Sequence, residues 1–284
     1  MTGVPNDEQK ERAALWFAEL RDELCGALER LEQTRKPPDG IAPGPPARFE
    51  RTEWTRPGGG VMAIMHGNVF EKVGVNVSTV WGELIEPFGR QIPGAEDDPR
   101  FWASGISMVA HPRSPLVPTA HMNTRLIVTT RSWFGGGADL TPVYADADDV
   151  GAFHGALEGA CDTYEDGCYD RFKAWCDEYF YLPHRGEARG VGGIFYDQLD
   201  SGDWERDLAF TRAVGLAFRE VYPTLVARHM NERWTPAQRE AQLRKRGRYV
   251  EFNLIHDRGT KFGLMTGGNV EAVLMSLPPL AAWP

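Results

Sequence analysis

Near the start of the chain Trp16, Leu20, Leu24, Leu28 and Leu31 recur at helical spacing, with Glu, Arg and Lys between them. That pattern predicts an amphipathic helix packed on the rest of the protein. Asn6 with Gln9 three residues on reads as its capping box. Residues 37–46, PPDGIAPGPP, have neither helix nor strand chemistry and read as a linker. Beyond it the period changes. Residues 48–54, 61–65, 73–81, 104–111 and 122–131 are alternating or β-branched and read as strands, the first two joined by a turn at Gly58-Gly59-Gly60. Residues 146–181 read as helix broken near Gly167, 191–198 as strand, and 203–234 as a long helix interrupted near Pro223. Thr235-Pro236 opens a further helix as N-cap and first helical residue. Residues 248–256 and 261–266 read as a hairpin about Asp257-Arg258-Gly259, and 269–277 as a short last helix.

Strands follow one another without regular helical crossovers over 48–81 and 104–135. That order predicts an α+β fold with an antiparallel sheet, not a doubly wound parallel one. The simplest organisation is one domain over residues 1–284, with the N-terminal helix in 1–36 and the linker in 37–46.

Composition narrows the function. With 42% hydrophobic and 11% aromatic residues the chain is globular. A net charge of −9 tells against a nucleic-acid partner, and the one basic run, at 244–248, reads as a solvated helix end. An acidic protein does not draw in an anionic ligand globally, so an anionic substrate needs a local arginine cluster. The four cysteines lack CxxC spacing; Cys161, Cys168 and Cys176 repeat at helical intervals and read as buried free thiols. The N-terminus has no apolar signal region and no stretch approaches a membrane span, so a cytoplasmic protein is expected.

The densest polar constellation lies between Ser104 and Asp139. Successive strand side chains alternate faces. Ser107, Val109 and His111 therefore share one face of the first strand, and His121, Asn123, Arg125, Ile127, Thr129 and Arg131 one face of the next. The three prolines of the linking segment 112–120 return the chain antiparallel, which sets His111 and His121 at one end and Ser107 and Arg125 deeper along the pair. Four strand residues span about 13 Å, too far for one small ion and suited to a large flat ligand with polar groups on its edge. Each residue taken singly also reads as structural: a hydrogen-bonded histidine, an ion-paired arginine. The glycines of Gly135-Gly136-Gly137 allow close backbone approach to a ligand and equally well end a strand, and Asp139 after them reads as a turn cap or as an acceptor for a ligand N–H. His111, His121, His154 and His184 have no standard metal-ligand spacing, and no P-loop, dinucleotide fingerprint or nucleophile elbow is present.

Taken as ordered motifs, these residues resemble the aerobic coproporphyrinogen-III oxidases. The motifs are HPRSP (111–115), PTAHMNTR (118–125), WFGGGADLTP (133–142), CDEYFYLPHR (176–185), GGIF (192–195), YVEFNL (249–254), DRGT (257–260) and MSLPP (275–279), and the likeness runs from about Val73 to the end. The resemblance implies a flat antiparallel sheet flanked by helices on both faces and a homodimer formed through the C-terminal segment, about 249–284. It implies coproporphyrinogen III and O2 as substrates, with protoporphyrinogen IX and CO2 as products, and no organic cofactor. It further implies His121 as proton donor, and Ser107, Asn123, Thr124, Arg125, Gly267, Gly268 and Asn269 as substrate contacts. His111, His121, His154 and His184 become proposed ligands of a divalent cation such as manganese. The chain departs from the pattern at Asn269, where the family often has Arg, and at Trp81, where it often has His.

On this resemblance Asp139 accepts a pyrrole N–H and stabilises charge on the ring, Arg125 holds a propionate through its planar fork, and His121 supplies a proton. Arg125→Ala and Asp139→Ala are expected to lose activity while still folding. A metal-dependent oxygenase using the four histidines and a porphyrin carrier without turnover are the rival readings.

Overall fold

The computed structural model describes residues 4–36, 44–84, 89, 92–265 and 268–284. The chain opens with helix α1 (Asp7–Thr34), whose N-cap Asn6 and Gln9 form the expected reciprocal capping box. Six strands then follow in sequence: β1 (Glu50–Arg56), β2 (Gly58–Met65), β3 (Phe70–Glu83), β4 (Arg100–Pro112), β5 (Thr119–Val128) and β6 (Ser132–Thr141). Helices α2 (Ala147–Asp162) and α3 (Cys168–Tyr179) come next, with Gly167 between them in the left-handed region at φ 74°. A small hairpin, β7 (Tyr181–Leu182) and β8 (Glu187–Ala188), leads to β9 (Gly192–Leu199). The remainder is helical: α4 (Trp204–His229), α5 (Pro236–Ile255), α6 (Arg258–Met265) and α7 (Val270–Leu274). No helix among the described residues is long and apolar enough to cross a membrane.

The strands form one antiparallel sheet in the order β1-β2-β3-β4-β5-β6-β9, the expected α+β architecture. Alternation divides its two faces. Val75, Ile106, Met108, Met122, Leu126, Ala138, Ile194 and Tyr196 point to one face, where they pack with Phe17, Leu20 and Leu24 of α1, Phe153 of α2 and Val214 and Phe218 of α4. Helices α1 and α4 cross closely at Gly215, where a Cβ would stand 2.5 Å from Leu20. Leu20 is fully buried there, so Leu20→Ala costs about 2–5 kcal/mol, the usual range for such a cavity.

Three expectations change. The turn between β1 and β2 is at Pro57, and the three glycines belong to β2; a Cβ at Gly60 would meet the Trp54 ring at 2.5 Å. Helix α4 runs unbroken through Pro223. Residues 248–256 are the end of α5, not a strand of a hairpin, and 258–265 form α6. The capping box of Thr235 with Gln238 starts α5, and its buried Tyr249, Phe252 and Asn253 fall at helical spacing, so one continuous helix satisfies the backbone that two short strands would leave unpaired. Glu71 on β3 receives Arg239 and Arg246 of α5 at 2.8 and 2.7 Å, which pins the C-terminal helices over one end of the second face.

Candidate active site

The second face of the sheet is half exposed over its centre. Direct cross-strand partners place Met62, Asn76, Ser107, Asn123, Gly137 and Phe195 in one row, and Ser78, Gly105, Arg125 and Gly135 in the next. Asn76, Ser107, Asn123 and Arg125 are all half buried on this face while the residues between them are buried on the other. The expected polar face therefore exists, and Ser107 stands directly opposite Asn123.

His121 lies opposite Asp139 in the pairing of β5 with β6, and its Nδ1 is 2.9 Å from Asp139 Oδ1. Asp139 is 2% exposed, and both its oxygens accept from Arg189 Nη2 at 2.7 Å. Burial alone would raise its pKa; the guanidinium of Arg189 and the hydrogen bond from His121 outweigh it, and the carboxyl is held below its ordinary range. Ionised Asp139 fixes the Nδ1–H tautomer of His121. His121 Nε2 is thereby left as the acceptor, 3.4 Å from Asn123 Nδ2 on the half-exposed face. Arg189 is itself fully buried, with its guanidinium 4.0 Å from the ring centre of Phe180 and 4.6 Å from those of Tyr249 and Phe252. Asp139 is thus spoken for by protein on both oxygens. Its Oδ1 orients the His121 ring, and Arg189 bridges both oxygens within the buried layer.

Arg125 Nη2 donates to Asp197 Oδ1 on β9 at 2.9 Å, and Arg258 Nη2 lies 3.9 Å from Asp197 Oδ2. A Cβ at Gly135 would fall 2.8 Å from Asp197 Oδ1 and 3.1 Å from Arg125 Cζ. The glycine run lies inside β6: Gly135 leaves room for the Arg125–Asp197 pair across the strand, while Gly136 and Gly137 lie against the backbone of β5 and β9.

The other expected residues are dispersed. Thr124 is fully buried on the opposite, helix-covered face, so its side chain cannot touch a ligand bound beside Asn123 and Arg125; the period-two alternation that exposes its neighbours turns it away. Asn269 caps α7 by accepting from Ala272 N at 3.1 Å, and Gly268 N donates to Gly263 O at 2.7 Å. Gly267 lies outside the described residues. His111 shares the face and end of His121, but it is fully buried, with Nε2 2.8 Å from the Ser276 carbonyl. Burial pushes its pKa down to about 3. His154 on α2 contacts Tyr169 Oη at 2.7 Å and the Val191 carbonyl at 3.2 Å, whereas His184 contacts His256 and Glu251 at 3.0 and 2.8 Å. These four histidines do not fit a shared divalent cation, and no group of three metal-ligating side chains among the described residues does. Nothing local in the sequence singles out Asp197 or Asn76, and Arg189 is signalled only as an arginine leading into the glycines of β9.

A wide, half-exposed sheet face with a guanidinium on one row and a charge-held imidazole beside it defines a site for a large flat anion and a proton transfer. The chain belongs to the coproporphyrinogen III oxidase family, whose model matches residues 12–284. It is 55% identical over 280 residues to the oxygen-dependent coproporphyrinogen-III oxidase of Rickettsia bellii (strain OSU 85-389), covering 98% of this chain and 99% of the relative. It is 56% identical over 276 residues to the enzyme of the same description from Rickettsia africae (strain ESF-5), covering 96% and 98%.

Proposed function

We propose that this protein is an oxidoreductase of haem biosynthesis that converts two propionates of coproporphyrinogen III to vinyl groups with O2. The observation that carries the reading is the half-exposed row of Asn76, Ser107 and Asn123 with Arg125 and His121 at its sides, in a chain of this family. Each propionate loses CO2 and a hydride equivalent, while O2 with one proton from solution becomes hydrogen peroxide, so atoms and electrons balance. The electron-rich macrocycle reacts with O2 to form a carbon-bound peroxide, which takes a proton from the β-carbon of the propionate as CO2 leaves; the carbon–oxygen bond then breaks and the hydroperoxide released takes up one proton to become hydrogen peroxide. Arg125 holds a propionate, exchanging the Asp197 carboxylate for that of the substrate. His121 relays the proton through Nε2, with Asp139 and Arg189 holding its orientation and charge.

The site requires no organic cofactor in this reading, and no step runs through a metal on the four histidines, whose separate hydrogen-bonding partners support that choice. A homodimer through the C-terminal segment is supported by the exposed Leu254, Ile255, Leu264, Val270, Leu280 and Trp283 in that region, and sedimentation as a monomer would remove it. The four free buried cysteines support a reducing, cytoplasmic compartment. The deciding experiment gives the purified protein chemically reduced coproporphyrinogen III in air and without oxygen, with and without a chelator. Protoporphyrin in air alone, chelator or not, is expected. Bound substrate without product means a carrier, and loss on chelation means a metal enzyme.

A further inference from the structure

The row Met62, Asn76, Ser107, Asn123, Gly137, Phe195 is apolar at both ends and polar in the middle. Neighbouring strands lie about 4.8 Å apart, so Asn76 and Asn123 stand roughly 10 Å apart at the backbone with Ser107 between them. Gly137 carries no side chain to occupy the place beside Asn123. The amide oxygens of Asn76 and Asn123 are both shielded from solvent and accept no hydrogen bond from the protein. Two unmatched acceptors on one row of a binding face are costly unless a ligand supplies donors. The carboxylates of a porphyrinogen are acceptors and match Arg125. Its only donors are the pyrrole N–H groups at the centre of the ring, and Asp139 is 2% exposed and already accepts from Arg189 and His121.

We infer that Asn76 is a substrate-contact residue that works with Asn123 across Ser107, and that their amide oxygens take pyrrole N–H groups and so select the reduced macrocycle. A porphyrinogen offers an N–H on every ring and bends at its saturated bridges. An oxidised porphyrin is flat and replaces half of those donors with acceptor nitrogens, which face the amide oxygens unfavourably. This inference rests on the coproporphyrinogen reading above and adds a residue, and a reason for selecting the oxidation state, to it.

Asn76→Leu keeps the size of the side chain and removes the acceptor. In the whole protein it is expected to raise KM for coproporphyrinogen III about tenfold, the worth of one hydrogen bond, with kcat within about threefold. The Kd of oxidised coproporphyrin III, read by fluorescence quenching, is expected to stay within about twofold. Asn76→Ala repeats the test without a bulky side chain should the leucine disturb β3. An unmoved KM, or equal weakening for reduced and oxidised ligands, overturns the inference while turnover by the unaltered protein leaves the proposed function standing. Absence of turnover by the unaltered protein strikes the proposed function itself.

Discussion

Arg189 Nη2 lies 2.7 Å from each carboxylate oxygen of Asp139, and both side chains are 2% exposed. Breaking such a pair leaves one buried charge uncompensated, at a cost of about 3–5 kcal/mol. Asp139→Ala is therefore a folding variant as well as an activity variant, contrary to the expectation from sequence. Asp139→Asn should lower urea stability by about that amount and kcat by roughly a hundredfold, in the range typical of acid–base groups. The double variant Asp139→Leu with Arg189→Met should recover much of the stability and none of the activity. Wild-type turnover by Asp139→Asn would remove the pair from the mechanism.

Arg125 should act mainly through substrate affinity. Arg125→Ala is expected to raise KM by ten- to a hundredfold, and Arg125→Lys to recover little, because an ammonium cannot reproduce a planar two-point contact. Gly135→Ala tests the same point without touching a charge. Its methyl would enter the space of Asp197 Oδ1 and Arg125 Cζ, so the arginine must move and KM should rise. Steady-state kinetics on the three variants separates the effects, and an Arg125→Ala enzyme with unchanged KM contradicts the assignment.

Thr124 gives a prediction in the opposite direction. Its hydroxyl is buried on the helix-covered face and has no hydrogen-bonding partner. Thr124→Val should therefore leave kcat/KM within about twofold and be neutral or stabilising by up to ~1 kcal/mol. A large activity loss in a stable Thr124→Val protein would mean that the sheet is read from the wrong side.

How much of this was legible follows from where each signal is stored. The capping box at Asn6, the N-cap at Thr235 and the alternation of β4 and β5 are local, and all are present in the structure. Strand β6 is hidden because glycine has low strand propensity, and Gly135 is set by the side chains of Arg125 and Asp197 on the strands beside it. The partners of Asp139 and Arg125 are out of reach of a sequence reading because they are distant in the chain: Arg189 is 50 residues from Asp139, and Asp197 is 72 from Arg125. The segment 248–256 has the β-branched and aromatic content of a strand, and tertiary packing over Arg189 made it helix.

His111 ties stability to pH. It is buried neutral, with its pKa pushed from 6.5 down to about 3 by burial. A base depressed on folding binds its proton better in the unfolded chain. The stability it contributes is therefore complete above pH 6.5 and is lost as pH falls toward 3. Complete protonation would cost on the order of 5 kcal/mol. Urea midpoints should fall across that window, and His111→Phe should flatten the fall even if it lowers stability at neutral pH. Equal acid sensitivity in both proteins would show that other groups dominate.

The central claim is an O2-dependent decarboxylation, and gas stoichiometry tests it most directly. Purified protein and coproporphyrinogen III are followed by oxygen electrode and CO2 release in the same vessel. The account predicts one O2 consumed and one hydrogen peroxide formed for each CO2, with two CO2 for each protoporphyrinogen. CO2 release without oxygen uptake, or oxygen uptake without CO2, contradicts it.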